Sequence, residues 1–286
     1  MTVSDAELTS LAASHDIISI GMLADDIRRH RHAARTTFVR VADVTLAEDH
    51  PGQNLSPLAG EVRIVGTPES RAAAVEWVSQ VAAAIAGSRG VPLSGFSLAD
   101  LEELSAREGV TLRALLEELG AAGLELVAEA PFDRLRDARR SIEEVNIAGL
   151  ALARLTIHQS PSPDPLPLLK TVADLQRAVA VIRAFAPLPR TINPAVPTTG
   201  YEDVKRVALA RVVVDNVASI QVDWSRYGPK LAQVALTVGA DDVDGVSAED
   251  DMTEGRRRAP LEEIRRNIRA ASQEPVERNG RFDVLR

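Results

Sequence analysis

Residues 199–245 read TGYEDVKRVALARVVVDNVASIQVDWSRYGPKLAQVALTVGADDVDG. An amphipathic helical stretch, Tyr201–Asn216, runs into a short β-type run, Ile220–Asp223. A second helical stretch, Lys230–Val238, leads to a weaker β-type run, Asp242–Val246. Strand and helix in alternation imply parallel strands, because a parallel neighbour is reached only through a crossover.

The same alternation continues towards the N-terminus. Further β-type runs are Phe38–Val44, Val62–Val65, Pro92–Phe96, Leu124–Ala128, Leu152–Ile157 and Ile182–Ala186. Helical stretches separate them: Glu69–Ala86, Leu98–Ala106 with Leu112–Ala121, Asp133–Ala148 and Pro165–Ala180; Leu261–Ala271 closes the series. Eight such runs in 286 residues predict an α/β fold, a (β/α)8 barrel of the TIM type. Helices at 6–14 and 17–32, the second capped by Asp16, predict an N-terminal helical extension (1–36) packed on a barrel formed by 37–286 with a C-terminal tail. The polar segment LAEDHPGQNLSPLAGE (46–61) leaves no room for a full first crossover helix. The loop over 44–60 would either plug the barrel mouth or leave it open. In SPSPDPLPL (160–168) four prolines enforce an extended path after strand five, as a stiff connection or a functional lip.

Hydrophobic residues make up 45% of the chain, enough for a large core, but aromatics only 3%, so Ala, Val, Leu and Ile must build it. The helical patterns are orderly, and the core positions are expected to be free of scattered charges. A net charge of −8 argues against a nucleic-acid partner, which needs a basic face. No apolar run approaches a membrane span, and MTVSDAELTS lacks the order of a signal peptide, so the expectation is a cytoplasmic protein. Cysteine is absent, which excludes disulfides, thiolate nucleophiles and thiolate-held metals.

Nucleotide-binding and hydrolase motifs are missing. His30 and His32, two apart on a helix, point to different faces and read as solvated. His158, at the end of strand five, is a candidate for ligand binding or proton transfer at a barrel mouth, or a partner of nearby backbone. In IQVDWSRYGPK, Asp223 ends strand seven with Trp224, Tyr227 and Lys230 close behind. Together they could grip a polar, planar ligand: Asp223 accepting from a hydroxyl or amine, Trp224 offering a flat face, Lys230 meeting a carboxylate. Alternatively Trp224 and Tyr227 plug the rim while Asp223 pairs with Arg226. GADDVDG (239–245) sets three carboxylates around strand eight without a supporting metal-ligand set, and RRR (256–258) reads as a solvated loop.

The stretch 199–245 closely resembles the C-terminal half of the menaquinone-pathway (futalosine) radical-SAM family, of the aminofutalosine synthase and dehypoxanthine futalosine cyclase kind, with the related deazaflavin-cofactor synthase subunit. EPVERNGRF (274–282), SHDIISIGMLADDIRRHRH (14–32), EVRIVGTPES (61–70) and GFSLADLEELSAREGVTLRALLEELGAAGLE (95–125) extend the resemblance over nearly the whole chain. In that family strand one leads into a three-cysteine loop that holds an iron–sulfur cluster. Here the corresponding segment is TTFVRVADVTLAEDHPGQ (36–53), without cysteine. The glycine pair that helps to seat SAM is Gly66-Thr67. A Gly-rich turn after strand four is replaced by AEAPFDRL (128–135), which puts Glu129 and Pro131 there, and SAEDDMTEGRRRAP (247–260) replaces the segment after strand eight.

The resemblance, with these departures, therefore implies a radical-SAM-like barrel that binds no iron–sulfur cluster and is not expected to bind SAM. The expected function is that of a non-catalytic partner, scaffold or ligand-binding protein in menaquinone biosynthesis. Its partner would be an intact radical-SAM paralogue, a second copy of the chain, or a small molecule. The alternative is a non-radical enzyme using acid–base residues (Asp223, His158 or Glu129) on a related nucleoside or carboxylic acid.

Overall fold

Polar residues placed one position ahead of an apolar helical run set most of the helix starts. Ser4, Asp16, Ser70, Thr111, Asp137 and Thr199 each accept a hydrogen bond from the backbone N–H three residues on, and Ser4 and Thr199 complete reciprocal capping boxes with Glu7 and Glu202. The computed structural model describes residues 4–46, 55–87, 90–160, 162–195, 198–249 and 260–285. Its first half runs α1 (Asp5–Ala13), α2 (Ile17–His32), β1 (Arg35–Thr45), β2 (Glu61–Val65), α3 (Arg71–Ile85), β3 (Leu93–Ser97), α4 (Leu98–Arg107), α5 (Leu112–Ala121), β4 (Leu126–Pro131) and α6 (Ala138–Ile147). The second half is β5 (Ala151–Leu152), β6 (Leu155–Gln159), α7 (Leu166–Val179), β7 (Ala184–Thr191), α8 (Gly200–Val213), β8 (Ser219–Asp223), α9 (Trp224–Leu236), β9 (Asp242–Ser247), α10 (Pro260–Ala270) and β10 (Glu274–Arg278).

The strand order is β1-β2-β3-β4-β6-β7-β8-β9, and β1 also pairs with β9, which makes the fold a TIM-type (β/α)8 barrel. The pairings of β1 with β2, β2 with β3, β3 with β4, β7 with β8 and β8 with β9 are parallel. Among the described residues no helix lies between β1 and β2, as expected of a shortened first crossover. Residues 47–54, within the 44–60 loop, and RRR at 256–258 lie outside the described residues.

Several boundaries differ from the sequence reading. The fifth run is split: β5 pairs with β4, and β6 begins three residues later. The sixth run, expected over Ile182–Ala186, is a strand over Ala184–Thr191 that continues through Pro187 and Pro189. β10, which adds to β1, was not anticipated. α9 starts at Trp224 rather than Lys230 and breaks at Gly228, whose φ of 76° and ψ of 169° are non-helical, so Pro229 opens its second segment.

The chain forms two compact units. One comprises Met1–Phe38, Thr156–Gly245 and Leu261–Val276; the other comprises Val39–Leu155, Val246–Pro260 and Glu277–Arg286. In the first, α2 packs along α8, while α1 touches α7 and α8. In the second, α3 meets α5, and α5 meets α6.

The expectation of a core without scattered charges is overturned. Arg28, Arg206 and Arg211 are buried in the first unit, and Glu61, Arg63, Arg154 and Arg278 in the second. Most are matched locally. Arg211 donates to Gly239 O (2.9 Å), Ala218 O (3.2 Å) and the Asp241 carboxylate. Glu61 Oε1 accepts from Arg63 Nε (2.9 Å) and Ser94 Oγ (2.5 Å). Burial pushes the Glu61 carboxyl up, but Arg63, Arg154 and Ser94 outweigh it and hold the group below the usual carboxylate range.

Candidate functional site

Because side chains alternate across a strand, a single register decides which residues share a face. β8 and β9 pair Gln221 with Asp242 and Asp223 with Asp244, so these four lie on one face. The Gln221 amide donates to Asp242 Oδ2 at 2.7 Å, as that register requires. On β7, Leu188 and Arg190 share a face, and Arg190 Nη1 reaches Asp223 Oδ2 at 2.6 Å. On β6, Thr156 and His158 alternate with the fully buried Leu155 and Ile157. The first unit thus presents a polar strand face that includes Asp223.

Asp223 is only 7% exposed. Beyond Arg190, its Oδ1 accepts from Ser225 Oγ (2.7 Å) and from the backbone N–H of Arg226 (3.1 Å), which makes it the N-cap of α9. The sequence reading had offered Arg226 as its ionic partner. The structure assigns that role to Arg190, while the Arg226 guanidinium donates to Arg190 O (3.0 Å). Gly245 makes the crowding possible: with φ +70°, a Cβ there would lie 3.0 Å from both Asp223 Oδ1 and Ser225 Oγ.

The other candidates are dispersed. Trp224 and Tyr227 are half-buried and Lys230 is exposed. Tyr227 donates its hydroxyl to Pro189 O (2.5 Å), and burial pushes its phenol up to about 12. His158 is half-buried near the end of β6, where its backbone oxygen accepts from Thr191 Oγ1 (2.9 Å). Glu129 belongs to the second unit. Its register partner is Ser97, and it shares the face of Val127, opposite the face that carries Arg63 and Ser94.

His32 is not simply solvated: its Nε2 lies 3.0 Å from Ala218 O and 3.3 Å from Asp241 Oδ2. The three carboxylates of GADDVDG are buried and engaged with protein groups, Asp241 with Arg211 and Asp242 with Thr37 and Gln221. Among the described residues no cluster of three or more His, Asp or Glu side chains is placed to hold a metal ion.

Two residues of consequence escaped the sequence reading. Arg190 follows a run that had been ended at Ala186. Arg206 lies on α8 in line with Leu209, Ala210 and Val213, and is 3% exposed. A cation in register with an apolar stripe was the available signal for it.

Residues 188–286 match the family model described as the CofH/MqnC C-terminal region. The chain is 26% identical over 223 residues to a 5-amino-6-(D-ribitylamino)uracil–L-tyrosine 4-hydroxyphenyl transferase of Methanosphaerula palustris, covering 66% of this chain and 57% of that protein. It is 27% identical over 209 residues to a cyclic dehypoxanthine futalosine synthase of Streptomyces coelicolor, covering 66% and 52%. Identity to an aminodeoxyfutalosine synthase of the same organism is 38%, but over only 94 residues, 31% of this chain and 24% of that one. The chain therefore spans little more than half the length of the longer-matching relatives. Among solved structures, methylornithine synthase (PylB) is similar with a TM-score of 0.67, 12% identity and coverage of 96% and 94%. The hydrogenase maturase HydG from Carboxydothermus hydrogenoformans gives 0.63 at 12% identity, covering 96% and 76%.

An iron–sulfur cluster with SAM is the group such relatives imply, and the residues present do not fit it. The sequence offers no thiolate. Gly66-Thr67 stands where the resemblance implies a glycine pair, and the Thr67 hydroxyl donates to Asp100 Oδ2 at 2.8 Å. Residues 188–286 thus carry the CofH/MqnC C-terminal region on a TIM-type barrel, and the cysteine-free chain is similar to futalosine-pathway enzymes over part of its length.

Proposed function

We propose that this chain is a non-catalytic, cluster-less member of the futalosine route to menaquinone, acting as a ligand-binding protein or as the partner of an intact radical-SAM paralogue. The observation that carries the reading is the absence of any cysteine from a chain that otherwise keeps the barrel and the C-terminal region of its relatives. Without thiolates the iron of such a cluster has no protein ligands of the usual kind, and reductive cleavage of SAM has no electron source. The engagement of Asp223 supports binding or structure over acid–base work. A carboxylate that already accepts from Arg190, Ser225 and the α9 backbone is poorly disposed to take a proton from a substrate.

Anaerobic reconstitution with iron and sulfide, followed by dithionite and SAM, tests this directly. The expected result is a flat visible spectrum and no 5′-deoxyadenosine; a stoichiometric four-iron chromophore would overturn the reading. Native mass spectrometry with futalosine-route metabolites and an intact paralogue then separates the ligand-binding from the partner role.

A further inference from the structure

A cleft of about 660 Å³ opens in the first unit between α1, the proline-rich segment and the N-terminal turns of α7 and α8. Its wall on the α1 side is held by polar contacts. Lys205 Nζ donates to Ala12 O and Ser14 O, both at 2.6 Å, and the Tyr201 hydroxyl donates to His15 O at 2.5 Å. Lys170 Nζ meets Asp5 Oδ1 at 2.8 Å.

Arg206 lines this cleft and is almost completely buried, at 3% exposure. Only Nη2 has a protein acceptor, Ser160 Oγ at 2.9 Å; Nε and Nη1 have no hydrogen-bond partner among the described residues. A guanidinium stays charged and carries five N–H donors, so burying it with two nitrogens unmatched is unfavourable unless something else supplies acceptors. Burial also holds its pKa below the usual arginine value.

The rest of the lining narrows the chemistry. Asp164 and Glu202 also line the cleft, but their oxygens serve as caps, accepting from Leu166 N (3.0 Å) and Thr199 N (2.7 Å). Their charges disfavour a dianion such as phosphate beside them. Ala12, Pro163, Pro165 and Leu166 supply apolar surface.

We propose that this cleft binds a small organic monocarboxylate, whose oxygens accept from the unmatched N–H groups of Arg206 and whose apolar body lies against Pro163, Pro165 and Leu166. The lining of the cleft includes no member of the Asp223 cluster, and the proposal does not rest on the loss of radical chemistry, so either reading can fail alone.

The test uses the full chain with butyrate as probe, read by saturation-transfer NMR and by the shift of Tm with butyrate concentration. Wild type should bind saturably, and Arg206→Met should bind at least tenfold more weakly. Without butyrate the Tm of Arg206→Met should change little, because two unmatched nitrogens are removed while the attraction of Asp203, Glu202 and Asp164 is lost. Ala13→Trp, which fills the cleft from its exposed side and leaves Arg206 in place, should also bind at least tenfold more weakly. No saturable binding by wild type, or equal binding by both variants, would overturn the proposal. Inorganic phosphate binding more tightly than butyrate would overturn the assignment to a monocarboxylate.

Discussion

Replacing Asp223 by alanine tests whether this residue organises the fold. The substitution removes at least three interactions at once: the ion pair with Arg190, the bond from Ser225 Oγ and the N-cap of α9. A lost N-cap costs about 1 kcal/mol. Breaking a buried ion pair costs about 3–5 kcal/mol, since the surviving charge is left out of water. That case applies because the Arg190 and Asp223 side chains are only 7% and 9% exposed. These costs overlap, so we expect a loss of about 3–5 kcal/mol, a large part of the roughly 5–15 kcal/mol that holds a typical domain together. Asp223→Asn keeps the capping oxygen and should cost less, about 1.5–3 kcal/mol, the value of a hydrogen bond to a charged group. In the double variant with Arg190→Met the stranded guanidinium is gone, and a coupling of about 1–3 kcal/mol should appear. Urea unfolding followed by far-UV circular dichroism measures wild type, the three single variants and the double variant. With a slope near 3 kcal/mol/M the Asp223→Ala midpoint should fall by about 1–2 M. A loss below about 1 kcal/mol, or additive single variants, would refute the assignment. Asp223 would then be free to serve a ligand.

Gly245→Ala should destabilise by about 1–3 kcal/mol in the same assay, since it adds a left-handed penalty to contacts at 3.0 Å with Asp223 and Ser225. Tyr227 should titrate near 12 in the ultraviolet difference spectrum between wild type and Tyr227→Phe. Its folded value lies above that of the unfolded chain, so its contribution to stability is complete below about pH 10 and is lost as pH rises through the folded value; a midpoint near 10 would contradict the buried phenol. Glu61 has the opposite sign. Its folded value is depressed, so its contribution is present above about pH 4.5 and is lost as pH falls through the lowered value. The stability gap between wild type and Glu61→Gln should accordingly narrow on acidification, and a gap independent of pH between 7 and 3 would count against the network with Arg63, Arg154 and Ser94.

The barrel was legible in the amino-acid sequence because it rests on short-range periodicity. Apolar residues at helical spacing in Tyr201–Asn216, followed by the β-type run Ile220–Asp223, already imply a crossover to a parallel strand, and no distant contact is needed to see it. The missing cysteines are equally a property of the sequence, and with them the misfit to an iron–sulfur cluster. Boundaries were less secure where local rules competed. Pro187 and Pro189 lack the N–H groups of a regular ladder, yet β7 runs through both beside its neighbour strands.

Only the tertiary structure decided which side chains meet. Asp223 and Arg190 stand 33 residues apart, and their pairing depends on how β7 and β8 lie together. Glu129 looked equivalent to Asp223 as an acid at a strand end, yet its register with Ser97 puts it on the face of Val127. The buried arginines were hidden for the same reason. Arg206 and Arg211 belong to a helix rich in charge, and the cost of burying them becomes apparent only once Ser160, Ala218, Gly239 and Asp241 are seen to answer them, at every nitrogen of Arg211 and at one of Arg206. Periodicity along a chain reports which face of an element is apolar, whereas the partner of a buried charge is set by register and packing between elements remote in sequence.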